Sequence, residues 1–130
     1  MEKKHISKAF NEHIVDLYSD LKIIFPKNND VRAGKTMVET LSKYNPKKMI
    51  EGWYKYITQV YGIKILKGDD DFFINHNFEK EVTQYGGNVE ETAQWANDLK
   101  KLWNSLSGED RSKAIKYFQN LTTMSNLYYN

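Results

Sequence analysis

A chain of 130 residues and 15.3 kDa can bury one hydrophobic core and is too short for two. Its hydrophobic content of 40%, with nine Tyr, six Phe and three Trp, excludes a disordered body, and the lack of cysteine excludes disulfides, thiolate metal sites and cysteine nucleophiles. The net charge of +2 is unevenly spread: residues 1–20 carry −1, residues 21–67 carry +7 from ten Lys or Arg against three acids, and residues 68–130 carry −4.

The start, Met1-Glu2-Lys3-Lys4-His5, is charged and is not followed by the apolar run of about 7–15 residues that a secretory signal needs. No stretch approaches the roughly 20 apolar residues of a membrane span. The expectation is a cytoplasmic protein with no membrane partner, in which the Asn120-Leu121-Thr122 sequon has no role.

In chain order, Ile6, Phe10, Ile14, Leu17, Leu21 and Ile24 recur at spacings of three and four, which predicts an amphipathic helix over about 6–25 that Phe25-Pro26 ends. A second helix is expected over 31–44, with Asp30 as N-cap and Val31, Gly34, Met37 or Val38, Leu41 and Tyr44 facing inward. Gly34 is a poor helix former, and a close crossing with another helix accounts for it. Asn45-Pro46 reads as a cap followed by proline at the first helical position, opening a third helix over 46–61 with Ile50, Trp53, Ile57 and Val60 on one stripe and Gly62 as its stop.

Residues 62–88 lose this periodicity among turn formers, yet Phe72, Phe73, Ile74, Phe78, Val82 and Tyr85 argue for packing; Phe72-Phe73 is expected to plug the bundle and 78–85 to contain a helical turn. A fourth helix follows over 89–106, with Ala96, Leu99, Leu102, Trp103 and Leu106 inward. Ser107 then caps a fifth over 109–128, carrying Ala114, Tyr117, Phe118, Leu121, Met124 and Leu127. The fold class is therefore all-α: a single-domain bundle of about five helices with an irregular, aromatic-rich connection between helices three and four.

No nucleophile elbow, phosphate-binding loop or dinucleotide fingerprint occurs, so neither a catalytic group nor a cofactor is assigned. Asp69, Asp70 and Asp71 form a dense acidic run, but counting from Asp69 places Phe73, Ile74 and Lys80 where a calcium loop needs an oxygen ligand, Gly and Glu. A solvated turn explains the run without a metal. His5, His13 and His76 have no metal-ligand spacing, and His13 beside Glu12 and Asp16 reads as a surface ion pair.

The basic segment carries the sharper signal. Lys43, Lys47 and Lys48 flank Asn45-Pro46, with Lys22, Lys27, Arg32 and Lys35 upstream and Lys55, Lys64 and Lys67 downstream. Two readings stand: a patch that neutralises phosphates, or solubilising lysines spread over three helices. Only two arginines occur in the chain, which argues against base-specific readout. Tyr54 and Tyr61 fall beside the buried stripe of Trp53 and are candidates for a contact surface, as is the apolar end Leu127-Tyr128-Tyr129.

Ile24-Phe25-Pro26 with Asp30, Asn45-Pro46 with Ile50 and Trp53, Gly68-Asp69 with Asp71-Phe72-Phe73-Ile74, and Gln119-Asn120-Leu121 with Ser125-Asn126-Leu127-Tyr128-Tyr129 together span most of the chain. In these stretches it resembles a group of uncharacterised small helical proteins of nucleocytoplasmic large DNA viruses, the giant viruses. That resemblance implies a viral setting, in host cytoplasm, virus factory or virion, and supplies no site. The reading that follows is a non-enzymatic protein-interaction or assembly module, self-association included, with DNA or RNA binding through 21–67 as the alternative. Its interaction residues are Lys43, Lys47, Lys48, Tyr54, Lys55, Tyr61, Asp69, Asp70, Asp71, Tyr128 and Tyr129.

Overall fold

Helix α1 spans Lys3–Ile24 and closes at Phe25, whose N–H bonds Leu21 O. The computed structural model describes residues 2–68 and 101–130, and every regular element among them is helical, so the fold is all-α. Asp69 to Asp71, the Phe72-Phe73 plug and most of the expected fourth helix lie outside the described residues.

Helix α2 (Asn29–Tyr44) starts earlier than its apolar pattern suggests, because Asn28 is the N-cap: its side-chain oxygen accepts from Val31 N–H, leaving Asp30 in the first turn. Gly34 marks a close crossing. A Cβ there would lie 2.8 Å from Tyr18 Cζ and closer still to Cε1, so the tyrosine ring of α1 rests on bare α2 backbone. Met37 and Tyr44 point to solvent and Val38 is the buried member of the pair.

Asn45 closes α2 through its backbone N–H, Pro46-Lys47 form a turn, and α3 (Lys48–Trp53) begins two residues after the proline without a side-chain cap. Asn11 of α1 ties this turn down by donating from Nδ2 to Pro46 O at 2.8 Å. The helix then continues without a break in αR backbone through a π turn, Tyr54–Thr58, into α4, Gln59–Lys67. Gln59 N–H bonds Tyr54 O, five residues back, so one extra residue is wound in. That extra residue rotates the inward face by one position: Ile50 and Trp53 precede it, and Thr58, Gly62 and Ile65 are buried after it, while Val60 is 62% exposed.

Gly62 is thus an interior helix residue and not a stop. The stop is Gly68, at φ +70° and ψ 31°, the left-handed conformation that glycine alone adopts without strain. Gln119 of the last helix donates to Leu66 O and satisfies a second carbonyl of this terminus.

Residues 101–105 are helical. Arg111 closes the segment by donating to Trp103 O and Asn104 O. Ser107 then caps α5, Gly108–Tyr128, by accepting from Asp110 N–H, with Glu109 and Asp110 in the first turn.

The core joins Ile6 and Phe10 of α1, Ile50 of α3, and Leu121 and Tyr128 of α5, with Trp53, Phe118 and Met124 packed against it. Trp53 sits edge-on to Phe10 and stacked near Phe118, and its Nε1–H donates to Thr122 Oγ1. A buried polar seam continues beside it. Ser125 Oγ donates to Thr122 O, so its single proton is taken and Thr58 Oγ1 is the donor in the 2.6 Å contact with Ser125 Oγ.

Candidate functional site

The basic segment does not gather into one patch. Helix α2, 16 residues long, advances about 24 Å at 1.5 Å per residue, and it separates Lys27, before its start, from Lys43 in its last turn and from Lys47 and Lys48 beyond it. What remains is a cluster at the α2–α3 junction, where Lys43, Lys47 and Lys48 are exposed and Lys43 lies 5.5 Å from the ring of Tyr44, itself 76% exposed. Lys55 covers its neighbour Tyr56 at 5.2 Å, and Tyr61 is half-buried.

Both arginines serve the fold. Arg32 donates from Nε and Nη2 to Pro26 O, and Arg111 holds the two carbonyls before α5. In each the Nε–Nη2 edge is taken up by backbone carbonyls, so the side chain is tied to the fold.

The aromatic candidates do converge. Tyr54 of the π turn and Tyr129 stack with ring centroids 4.1 Å apart and planes 18° from parallel. Tyr128 meets Tyr129 edge-on but is only 5% exposed, so it is a core residue supporting the stack and not part of the contact surface. Lys3 Nζ lies 5.1 Å from the Tyr128 centroid and 5.7 Å from that of Tyr129, a cation–π geometry that ties the start of α1 to the end of α5. Burial, the charge of Glu51 and the neighbouring tyrosines raise the Tyr129 hydroxyl above its usual range. The ring therefore remains an uncharged donor at neutral pH.

This face combines a partly open tyrosine stack with exposed Leu127 and charges of both signs, Lys3 and Glu51. Leu127 belongs to the apolar end already legible in the sequence, whereas Lys3 and Glu51 escape sequence reasoning, since nothing in their spacing says that α1, α3 and α5 meet here.

A second polar cluster lies elsewhere between α1 and α5. Tyr117 donates its hydroxyl to Asp20 Oδ2 at 2.5 Å, His13 packs against the Tyr117 ring at 4.6 Å with the planes tilted by 42°, and Asn120 Nδ2 is 3.4 Å from His13 Nε2. His13 is accordingly a half-buried ring held by α5 in place of a surface ion pair. Burial lowers its pKa below 6.5, and Asp16 pulls weakly the other way. The Tyr117 pKa is pushed up to about 12 by burial, the bond to Asp20 and the charges of Asp20 and Asp16. It is a donor, not a phenolate nucleophile, at neutral pH. His13, Asp16 and Asp20 share one face of α1 at helical spacing, which is the signal that could have found the cluster.

Among the described residues no helix is long and apolar enough to cross a membrane. No protein-family model, curated protein or solved structure matches the chain.

Proposed function

We propose that the chain is a non-enzymatic protein-binding module that docks another protein through the face formed by Lys3, Glu51, Tyr54, Leu127 and Tyr129. The observation that carries this reading is the Tyr54–Tyr129 stack, which joins the middle of the chain to its end and leaves Tyr129 42% exposed. Tyrosine is enriched in protein interfaces, and a ring already held by a neighbour loses little rotamer freedom on binding. Rim charges of both signs favour a mixed protein surface over a uniformly anionic one. In the viral setting that the sequence resemblance implies, the partner belongs to the host cell or to the assembling particle, and a second copy of the chain is one such partner.

The test compares the intact chain with Tyr54→Ser/Tyr129→Ser, a pair chosen because neither residue is in the central core. The intact chain recovers a protein in fixed stoichiometry from its native cell, and the variant, with unchanged helical content, loses it. Equal recovery by both counts against this face.

A second reading rests on the α2–α3 junction, where exposed Tyr44 with Lys43, Lys47 and Lys48 offers a stacking ring beside cations. It predicts that Lys43→Glu/Lys47→Glu/Lys48→Glu abolishes retention on single-stranded DNA or RNA, and that the parent's affinity falls steeply with salt. Retention that ignores salt contradicts it.

A further inference from the structure

Away from the tyrosine face, α1, α5 and Leu106 before α5 line an open cavity of about 290 Å³. Leu17, Leu21, Ile24, Leu106 and Ala114 supply apolar walls, and Ile23, at 79% exposure, extends that surface at the rim. Its size falls at the lower end of small-molecule sites, which begin near ~300 Å³ and combine apolar walls with a few convergent polar groups.

The polar groups here are Asp20, Asp110, Lys113 and the Tyr117 hydroxyl. Tyr117 engages Asp20 Oδ2, which orients the carboxylate and leaves Oδ1 as an acceptor. The Asp110 backbone N–H is used by the Ser107 cap, whereas its carboxylate has no ion-pair partner among the described residues. Lys113 likewise forms no ion pair there, so the two carboxylates outweigh one uncompensated cation and the lining is net anionic.

We propose that this cavity binds a small primary amine carrying an apolar chain or ring, its ammonium hydrogen-bonded to Asp20 with Asp110 nearby and its hydrocarbon against Leu17, Leu21 and Leu106. An ammonium supplies three donors and no acceptor, which matches carboxylate oxygens and mismatches Lys113. An alcohol of the same length fits the walls but brings no charge, and a carboxylate is repelled by the lining.

The experiment titrates hexylamine, hexanol and hexanoate separately into the isotope-labelled full chain and follows backbone amides by NMR. Hexylamine shifts amides of residues 17–24 and 110–117 and binds at least about tenfold more tightly than either analogue. Asp20→Asn weakens hexylamine about tenfold with little effect on hexanol, and Lys113→Ala strengthens it. The lysine variant removes an exposed side chain and keeps the test valid if Asp20→Asn disturbs folding. The proposal is overturned if no cavity amide moves up to about 10 mM hexylamine, if hexanol or hexanoate binds as tightly, or if Lys113→Ala leaves the amine's affinity unchanged.

Discussion

Three glycines of similar appearance in the sequence do different work, and their substitutions separate cleanly. At Gly62 an added methyl meets Thr58 and Thr122 methyls at 3.5 and 3.7 Å, ordinary contact distances, so Gly62→Ala should stabilise the fold by about 0.5–1 kcal/mol through helix propensity. Gly68→Ala forces a side chain into left-handed backbone and should cost about 1–2 kcal/mol. Gly34→Ala gains propensity but drives a methyl into Tyr18, and overpacking of about 1–3 kcal/mol outweighs that gain. In a Tyr18→Ala background the sign should reverse. Urea denaturation of the four proteins in that cycle checks both signs, and a destabilising Gly34→Ala in the absence of Tyr18 contradicts the steric account.

The ionisable side chains of the α1–α5 contact carry a pH signature. His13 has a folded pKa below its unfolded 6.5, so the unfolded chain binds the extra proton and stability is lost as pH falls from 6.5 through the folded value. An NMR titration should give a His13 pKa under 6.5; a value above it means the ring is not desolvated by α5. Tyr117 has the opposite edge: with a folded pKa of about 12 against 10.0, it removes stability as pH rises above 10.

At the level of elements, the π turn has the largest consequences. Periodicity located α1, α2 and the Ile50–Trp53 face of α3 because apolar residues there obey a 3.6-residue repeat, and the Ser107 cap was equally legible, whereas Asn45-Pro46 placed the start of α3 two residues early. An inserted residue in a helix has no compositional mark, so the inward face past Thr58 could not be read, and Val60 was assigned to the core while Thr58 and Gly62 were not. Gly62 looked like a terminus for the same reason. Deleting exposed Lys55 should restore an unbroken α-helix with the same faces on either side of it and leave the fold intact. Loss of the core methyl resonances in that variant would show that the π turn is required and not merely accommodated.

The seam behind the turn is expected to matter more than its size. Thr58→Val removes the donor to Ser125 Oγ inside the core and should cost about 1–3 kcal/mol, because a buried acceptor is left unpaired. Ser125→Ala should be less than additive with it, since the two share one hydrogen bond. Neither residue was assigned to the core from sequence, where a lone hydroxyl side chain carries no mark of burial.

For the whole molecule, helix pattern and composition conveyed the class, and tertiary meeting points were the part that stayed hidden. Tyr54 and Tyr129 were each legible as contact residues, but their stacking depends on how α3 crosses α5, which no local spacing encodes. The same crossing buries Tyr128, and the length of α2 divides a basic segment that is continuous only along the chain. The surface that results has its preorganised aromatic face at the Lys3, Tyr54 and Tyr129 junction and its cations dispersed.

That face is tested most directly by replacing Tyr129 with a photoreactive phenylalanine analogue and, in a parallel chain, placing the same group at exposed Thr40 of α2. A protein adduct of defined mass should form from position 129 and not from position 40. Equal adducts from both positions, or nucleic acid as the sole product at 129, would contradict it.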